Sequence, residues 1–436
     1  MQRILSTELA RHTGETVTVA GWVHRRRLLK AVAFLIVRDA AGLTQVVVTE
    51  PEVRAMIEGL GEESVVELTG IVTANPSAPA GVELTAPVLR ILSAVDVPLP
   101  FDLHRPALSA TLPTQLDHAA LALRHPSRAG ALRIAAAATA GFRAALEQRR
   151  FVEIHTPKIV AAATESSVQL RAVAGRSDGE SGANVFALDY FGRPAYLAQS
   201  PQFYKQLMVG VFERVYEVGP VFRAEPHDTA RHLAQYTSLD AELGFIADHR
   251  DVMAVLTEVV AGMTATVAER TGAAVPQVPA EIPALHFAEA LRIAGAPADE
   301  PDLAPAHERA LGEWALREHG SEFVFVTGYP MRKRPFYTHP QPSDPAWSNS
   351  FDLLFRGLEL VTGGQRLHRY ADYEAALAAR GETTAAYRGY LDGFRYGMPP
   401  HGGFAIGLER FVARLTGAAN VREVTAFPRD LHRVTP

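Results

Sequence analysis

The sequence predicts an α+β chain in two parts: a small closed β-barrel over residues 1–100 and a larger mixed domain over 128–436, joined by a hinge at 101–127. Three observations predict it. From Thr16 to Val97 short alternating apolar stretches are separated by Gly-containing turns, as in small barrels. At Val97-Pro-Leu-Pro-Phe-Asp and His104-Arg-Pro the chain turns Pro-rich and its composition changes. Beyond that point, segments with helical spacing and strand-like segments follow one another in mixed order, which suits a sheet flanked by helices.

The barrel strands are read at Val17-Thr-Val-Ala-Gly-Trp-Val, Phe34-Leu-Ile-Val-Arg, Thr44-Gln-Val-Val-Val, Val65-Val-Glu-Leu-Thr-Gly-Ile-Val, Val82-Glu-Leu-Thr and Val88-Leu-Arg-Ile-Leu. Five or six such strands fit an OB-fold, with another small β-domain as the alternative. In the second part, Arg128 to Arg150 is Ala-rich with helical spacing and ends where Pro157 stops regular structure. Further helices are expected around Arg250 to Thr271 and Pro305 to His319, and a strand at Glu322-Phe-Val-Phe-Val. The Gly/Ser-rich segment 174–183 reads as a surface loop; its nearness to Thr164-Glu165 makes a substrate-covering lid the other reading.

Composition narrows the function. The chain of 436 residues carries a net charge of −5 and no cysteine, so disulfides and thiolate metal sites are excluded and any metal binds oxygen or imidazole. A negative chain does not coat nucleic acid by bulk charge, though a local basic face remains open. No apolar run long enough for a membrane span and no signal-peptide pattern are read, so the expectation is a cytoplasmic protein with no membrane partner.

Three segments carry chemistry: Val218-Gly-Pro-Val-Phe-Arg-Ala-Glu225, Phe351-Asp-Leu-Leu-Phe-Arg-Gly-Leu-Glu-Leu-Val-Thr-Gly-Gly-Gln-Arg366 and Gly402-Gly-Phe-Ala-Ile-Gly-Leu-Glu-Arg410. Activating a carboxylate with ATP needs cations around the phosphates, oxygen ligands for Mg2+ and a slot for the base. Arg223 and Arg410 are planar cations suited to phosphate. Glu359 is a hard oxygen ligand with the Thr362 hydroxyl three residues on, and Gly402, Gly403 and Gly407 leave room for a ligand to approach the backbone. Each alone reads more readily as a surface salt bridge or polar contact; together, in this order, they argue for a nucleotide site.

At these residues the chain resembles class II aminoacyl-tRNA synthetases of the aspartate, asparagine and lysine subgroup, over nearly its full length. Phe151-Val-Glu-Ile-His-Thr-Pro-Lys-Ile (151–159) resembles motif 1, which builds the dimer interface in that family; residues 216–242 resemble motif 2 and 402–415 motif 3. The resemblance implies a six- or seven-stranded antiparallel sheet flanked by helices and a homodimer. It assigns Arg223, Glu225 and Arg410 to catalysis. ATP is assigned to Arg223, Glu225, Arg231, His232, Leu233, Glu359, Gly407, Glu409 and Arg410, with adenine held against a motif 2 aromatic, and Mg2+ to Glu359 and Thr362. The amino acid falls to Glu165, Gln202, Lys205, Arg223, Asp240, Thr362 and Arg366. Two cations, Lys205 and Arg366, converging on one site suit a side-chain carboxylate, since an amide would leave a charge unpaired, so aspartate is the expected substrate. Departures from the family's pattern are Ser-Ser after Glu165, where relatives carry Gly-Gly, and Thr362 in place of Ser.

Anticodon reading is implied for the barrel, with Arg27, Phe34, Gln45 and Glu83 at the contact positions; by itself Phe34 reads more readily as core, and the resemblance reverses that preference. The short spacing between Glu225 and Phe351 resembles the compact, archaeal-like type. In that type His and Pro at the positions of His24 and Pro79 accompany relaxed selection, in which tRNA-Asn as well as tRNA-Asp receives aspartate for later work by an amidating enzyme. A Pro removes a cation and a backbone donor that could test a base, or it merely shapes the turn. The expected chemistry is two-step, adenylate formation and then transfer to the tRNA 3′ end. The alternatives are a strict tRNA-Asp enzyme, an asparagine enzyme, and an inactive RNA-binding relative.

Overall fold

The computed structural model describes residues 3–161, 184–226 and 228–435. The chain divides into two compact units, Met1–Thr114 and Gln115–Pro436. The division falls inside the stretch expected to be a hinge because its first residues pack on the barrel unit: Leu103 is buried, and the His104 ring sits edge-on to His24.

In the first unit β1 (Thr16–Leu28), β2 (Ala33–Arg38), β3 (Leu43–Val48), β4 (Val65–Ala74) and β5 (Val82–Ser93) form a closed barrel in the order β1-β2-β3-β5-β4. Alternation fills it: Val17, Val19 and Val23 point inward with Leu35, Val37, Val46 and Val48, while the residues between them face outward. The two segments expected as separate strands, Val82–Thr85 and Val88–Leu92, are one strand. Ala86, at φ 47°, breaks the pairing register with β4 without ending the ladder.

The second unit is built on β6 (Val152–Glu153), β10 (Arg214–Phe222), β11 (Gln235–Gly244), β12 (Ala284–His286), β13 (Phe323–Thr327), β14 (Ser350–Phe355), β15 (Leu358–Gln365) and β16 (His401–Gly407). They make one eight-stranded sheet, ordered β12-β13-β14-β15-β16-β11-β10-β6. The expectation of six or seven antiparallel strands is corrected at both edges, where β6 pairs parallel with β10 and β12 parallel with β13. These edge strands hold only two and three residues, too short to register as alternating sequence. A separate small sheet contains β7 (Ile159–Val160), β8 (Ala187–Tyr190) and β9 (Arg193–Leu197) in the order β7-β9-β8.

Helices Pro126–Glu147 and His249–Thr271 cover one face of the large sheet and form its core with Leu239, Ala241, Phe351, Leu353, Phe404 and Ile406. The second of these is long and apolar enough to cross a membrane by length and composition, with a mean hydropathy of 1.5, contrary to the sequence reading. In this fold Val252, Leu256, Val259, Val260 and Met263 are buried in the core instead. The opposite face of the sheet carries the polar alternates Ser238, Asp240 and Glu242 of β11 and the small residues Gly403, Ala405 and Gly407 of β16. That face is where the site forms.

Candidate active site

A cavity of about 500 Å³ opens over the polar face of the sheet, and it gathers residues separated by more than two hundred positions in sequence. Gln202, Lys205, Arg223, Glu225, Arg231, His232, Leu233, Glu359, Thr362, Arg366, Gly407, Glu409 and Arg410 all line it. Asp240 stands directly behind Lys205. Glu165 and the segment 174–183 lie outside the described residues, so neither the expected ammonium ligand nor the lid reading has a structural account.

At one end of the cavity the charges are buried and paired. Lys205, on the helix Gln202–Phe212, is 1 % exposed; its Nζ lies 3.0 Å from Asp240 Oδ1, 3.2 Å from Phe404 O and 3.3 Å from Glu242 Oε2. Arg366 follows β15 and places Nε 3.2 Å from Glu242 Oε1 and Nη2 3.1 Å from Gly403 O. The expectation that two cations await a carboxylate is thereby corrected: Asp240 and Glu242 already balance them, as the cost of isolated buried charge requires. Glu242 was missed, although Asp240-Ala-Glu242 places both carboxylates on one strand face.

Beneath Glu242 lies a neutral network. His401 Nδ1 bonds Pro399 O at 2.9 Å, which sets Nε2 to accept from Gln206 Nε2 at 2.9 Å, and burial pushes the imidazole's pKa down. Tyr390 donates to Gln206 Oε1 at 2.9 Å and Tyr373 donates to Leu367 O at 2.7 Å. Gln202 Nε2 is buried and bonds nothing among the described residues, so a ligand acceptor at this end would satisfy it. Gly403 is small for a different reason from the one expected, because a Cβ there would strike Ala241 O and the Glu242 carboxylate rather than a ligand. A Cβ on Gly402 would likewise stand 2.6 Å from Gly364 O, whereas Gly407 keeps its open space.

The other end is more open. Arg223 leaves β10 with its N–H bonded to Ala234 O at 2.9 Å across the base of the β10–β11 hairpin, and its guanidinium lies 5.6 Å from the Tyr236 ring centroid. Tyr236, also in the lining, is an aromatic within the segment 216–242, where the sequence reading numbered none. Arg410, in the first turn of the helix Leu408–Thr416, places Nη1 3.5 Å from Glu359 Oε1 and 3.3 Å from Glu359 O. Glu409 is half-buried and accepts the Thr237 N–H at 3.0 Å; its partial burial raises its pKa, and its carboxylate is committed to the motif 2 backbone. His232 Nδ1 bonds Thr229 Oγ1 at 2.6 Å.

Glu359 and Thr362 are three residues apart and should face opposite sides of a regular strand. The register explains why they do not. Leu353 pairs with Val361 and Leu354 with Glu359, so Leu360 is an extra, bulged residue, and Thr362 Oγ1 lies 3.4 Å from Glu359 Oε1. A carboxylate and a hydroxyl in the wall of this cavity are hard oxygen donors that fit Mg2+ completed by substrate phosphates. Among the described residues there is no cluster of three His, Asp or Glu able to hold a metal by itself. Asp352, one strand over, is instead committed to Arg334 at 3.1 Å; burial pushes its pKa up to about 6 despite that cation. Arg332, Lys333, Arg334 and Arg380 also line the cavity and were missed, although Arg332-Lys-Arg334 is a visible run of cations.

On the barrel, Arg27 pairs in register with Phe34, Ile36 with Gln45, and Gln45 with Glu83. These residues share the outer face, so Phe34 is half-buried there and is not core. Glu83 Oε2 accepts from both Gln45 Nε2 and Asn75 Nδ2 at 2.8 Å. Pro79 opens a single 3-10 turn, residues Pro79–Gly81, which closes the loop that delivers Asn75. His24 stands apart from this cluster, three residues back along β1 from Arg27, the partner of Phe34, or about 10 Å by strand rise. It occupies a bulge in β1, its Nδ1 is 3.0 Å from His104 Nδ1, and burial and that neighbour push its pKa down to about 4.

Comparison with known proteins agrees with this geometry. Residues 111–431 match the family tRNA synthetases class II (D, K and N), and residues 17–92 match the OB-fold nucleic acid binding domain. The chain belongs to the class II tRNA synthetases. It is thus an aminoacyl-tRNA synthetase, a ligase whose family binds ATP, an amino acid and tRNA. An aspartate--tRNA(Asp/Asn) ligase of Deinococcus radiodurans is 44% identical over 100% of this chain and 99% of its own length, and one of Thermus thermophilus is 44% identical over 100% of both. Among solved structures, the asparaginyl-tRNA synthetase of Pyrococcus horikoshii complexed with asparaginyl-adenylate aligns over 100% of both chains with a TM-score of 0.90 at 29% identity.

Proposed function

We propose that this synthetase is an aspartate--tRNA(Asp/Asn) ligase. The observation that carries the reading is end-to-end similarity, at 44% identity, to two curated ligases of that name, together with a cavity that holds Lys205 and Arg366 beside Gln202. In the first step the aspartate α-carboxylate oxygen attacks the ATP α-phosphorus in line, the bond to the β-phosphate oxygen breaks, and pyrophosphate leaves. Arg223 orients the α-carboxylate and α-phosphate, and Arg410, Arg231 and His232 face the remaining phosphates. Glu225 assists at the adenylate, and Leu233 and Gly407 border the base. Mg2+ held by Glu359 and Thr362 would neutralise phosphate charge. In the second step the terminal 3′-hydroxyl of tRNA attacks the aspartyl carbonyl and AMP leaves. No side chain placed as general base is needed where positioning dominates.

The substrate's side-chain carboxylate would lie between Lys205 and Arg366. Because Asp240 and Glu242 already balance those cations, an added carboxylate must draw on the Gln202 donor and on reorientation within the four-charge cluster. Glu165 is proposed for the α-ammonium. A homodimer through the motif 1 strand β6, cytoplasmic residence, and delivery of aspartyl-tRNA-Asn to an amidating enzyme belong to the same proposal. On the barrel, Arg27, Phe34, Gln45 and Glu83 are proposed to read the anticodon, with His24 and Pro79 relaxing the choice between tRNA-Asp and tRNA-Asn.

The deciding experiment is charging of tRNA-Asp and tRNA-Asn transcripts with labelled aspartate, side by side. Comparable charging of both is expected; charging of tRNA-Asp alone would sink the relaxed reading and leave the strict enzyme. A second reading, an asparagine enzyme, draws on the charge-balanced pocket and on the asparaginyl-adenylate neighbour. Asparagine-dependent exchange of pyrophosphate into ATP, with none for aspartate, would establish it.

A further inference from the structure

Arg231 and Glu359 come from different parts of the chain, yet one buried carboxylate outside every motif holds both. Glu308, in the first turn of the helix Pro305–His319, is 3 % exposed. Its Oε1 accepts from Arg231 Nη1 at 3.1 Å, and its Oε2 lies 3.3 Å from the same nitrogen. Oε2 also accepts the Glu359 backbone N–H at 2.9 Å, at the start of the bulge that turns Glu359 toward Thr362.

The helix bearing Glu308 is seated by backbone contact. A Cβ on Gly312 would stand 2.6 Å from Gly357 N, and one on Gly357 would stand 2.9 Å from Arg309 Cα, so neither position tolerates a side chain. Gly357, at φ +69°, also turns the β14–β15 connection in a conformation suited to glycine. The depth of Glu308 is therefore set by the packing of its own helix and not by the segment bearing Arg231 that it meets. A carboxylate this buried requires a compensating charge and hydrogen bonds, and the helix N-terminus adds a favourable dipole.

We propose that Glu308 is a positioning residue for ATP, an inference that rests on the ATP site described above. It acts through two others. By engaging one guanidinium nitrogen it holds Arg231 at the cavity wall with the fork's other donors left for phosphate oxygens, and by taking the Glu359 N–H it stabilises the bulge that presents the metal-binding carboxylate.

The test is aspartate-dependent pyrophosphate exchange by the full-length enzyme, measured for wild type, Glu308→Gln and Glu308→Ala. Glu308→Gln keeps an oxygen acceptor for Glu359 N–H and removes the charge that holds Arg231. It should raise KM for ATP about tenfold while KM for aspartate stays within about twofold. Glu308→Ala should in addition raise the Mg2+ concentration needed for half-maximal rate, and Glu308→Asp should recover part of the loss. In an Arg231→Ala background Glu308→Gln should add little to KM for ATP, because its route to the nucleotide is gone. An unchanged KM for ATP in folded Glu308→Gln, an equal rise for ATP and aspartate, or full additivity with Arg231→Ala would each overturn the proposal. Wild-type exchange that responds to asparagine and not aspartate would count against the substrate assignment alone, and the same ATP comparison would then be read with asparagine.

Discussion

The cavity over the large sheet and the outer face of the barrel are both proposed as recognition surfaces, and they are built oppositely. In the cavity, Lys205, Arg366, Asp240 and Glu242 are at most 6 % exposed and form one balanced cluster. On the barrel, Arg27 is exposed, Phe34 half-buried, and the polar centre is one carboxylate held by two neutral amides. A small charged substrate demands buried charge, and buried charge must be paired before the substrate arrives. Base edges and ring faces need only donors, acceptors and stacking at a wet surface, so each contact there contributes separately. Loss of one group should therefore disrupt the cavity as a unit and the barrel by degrees.

The largest effect should come from breaking the cluster. Arg366→Ala leaves Glu242 buried with less compensation and should lower stability by about 3–5 kcal/mol while removing aspartate-dependent exchange. Denaturant melts and exchange assays of one preparation would check it; a normal melt would show that the cluster does not act as a unit. Arg223→Ala sits at the more open end, so exchange should fall by about 100- to 1000-fold while stability moves far less than in Arg366→Ala. A melt as damaged as that of Arg366→Ala would erase the distinction between the two ends. Phe34→Ala should weaken tRNA charging by about 1–3 kcal/mol through lost stacking, seen as a higher KM for tRNA with pyrophosphate exchange untouched. If exchange also fell, Phe34 would have to be counted with the core.

The smallest effect concerns pH. His24 has its pKa lowered from 6.5 to about 4, first by burial and then by His104, so the unfolded chain binds the proton more readily. The stabilisation is present above about pH 6.5 and is lost as pH falls toward 4. His24→Gln should give a shallower fall in melting temperature across that window than wild type, and an identical slope would argue against a neutral His24–His104 pair.

Much of this molecule was legible because its chemistry is local. Arg223 with Glu225, Glu359 with Thr362, and Glu409 with Arg410 sit within a few residues of each other, and strand alternation delivered Phe34, Gln45 and Glu83 to one face. What stayed hidden depends on partners remote in sequence. Glu308 meets Arg231 across 77 positions and Glu359 across 51, and nothing in its own helix distinguishes it from a solvated glutamate. The balance of charge at Lys205 required knowing that β11 lies beside β16, which brings Glu242 under Gly403. The edge strands β6 and β12 are too short to carry a period at all.

The bulge at Leu360 makes part of the site a property of residue count as well as residue type. Its single extra position shifts the phase of β15, so an odd spacing behaves as an even one and two oxygen donors meet on the same side. A scan that exchanges side chains one at a time would pass over this dependence, because every substitution preserves the count. Inserting one further residue between them, with the bulge kept, would make the spacing behave as an odd one and carry either Glu359 or Thr362 to the far face, dismantling the pair while leaving both in the chain. The spacing between these donors is therefore as much a component of the site as the donors themselves.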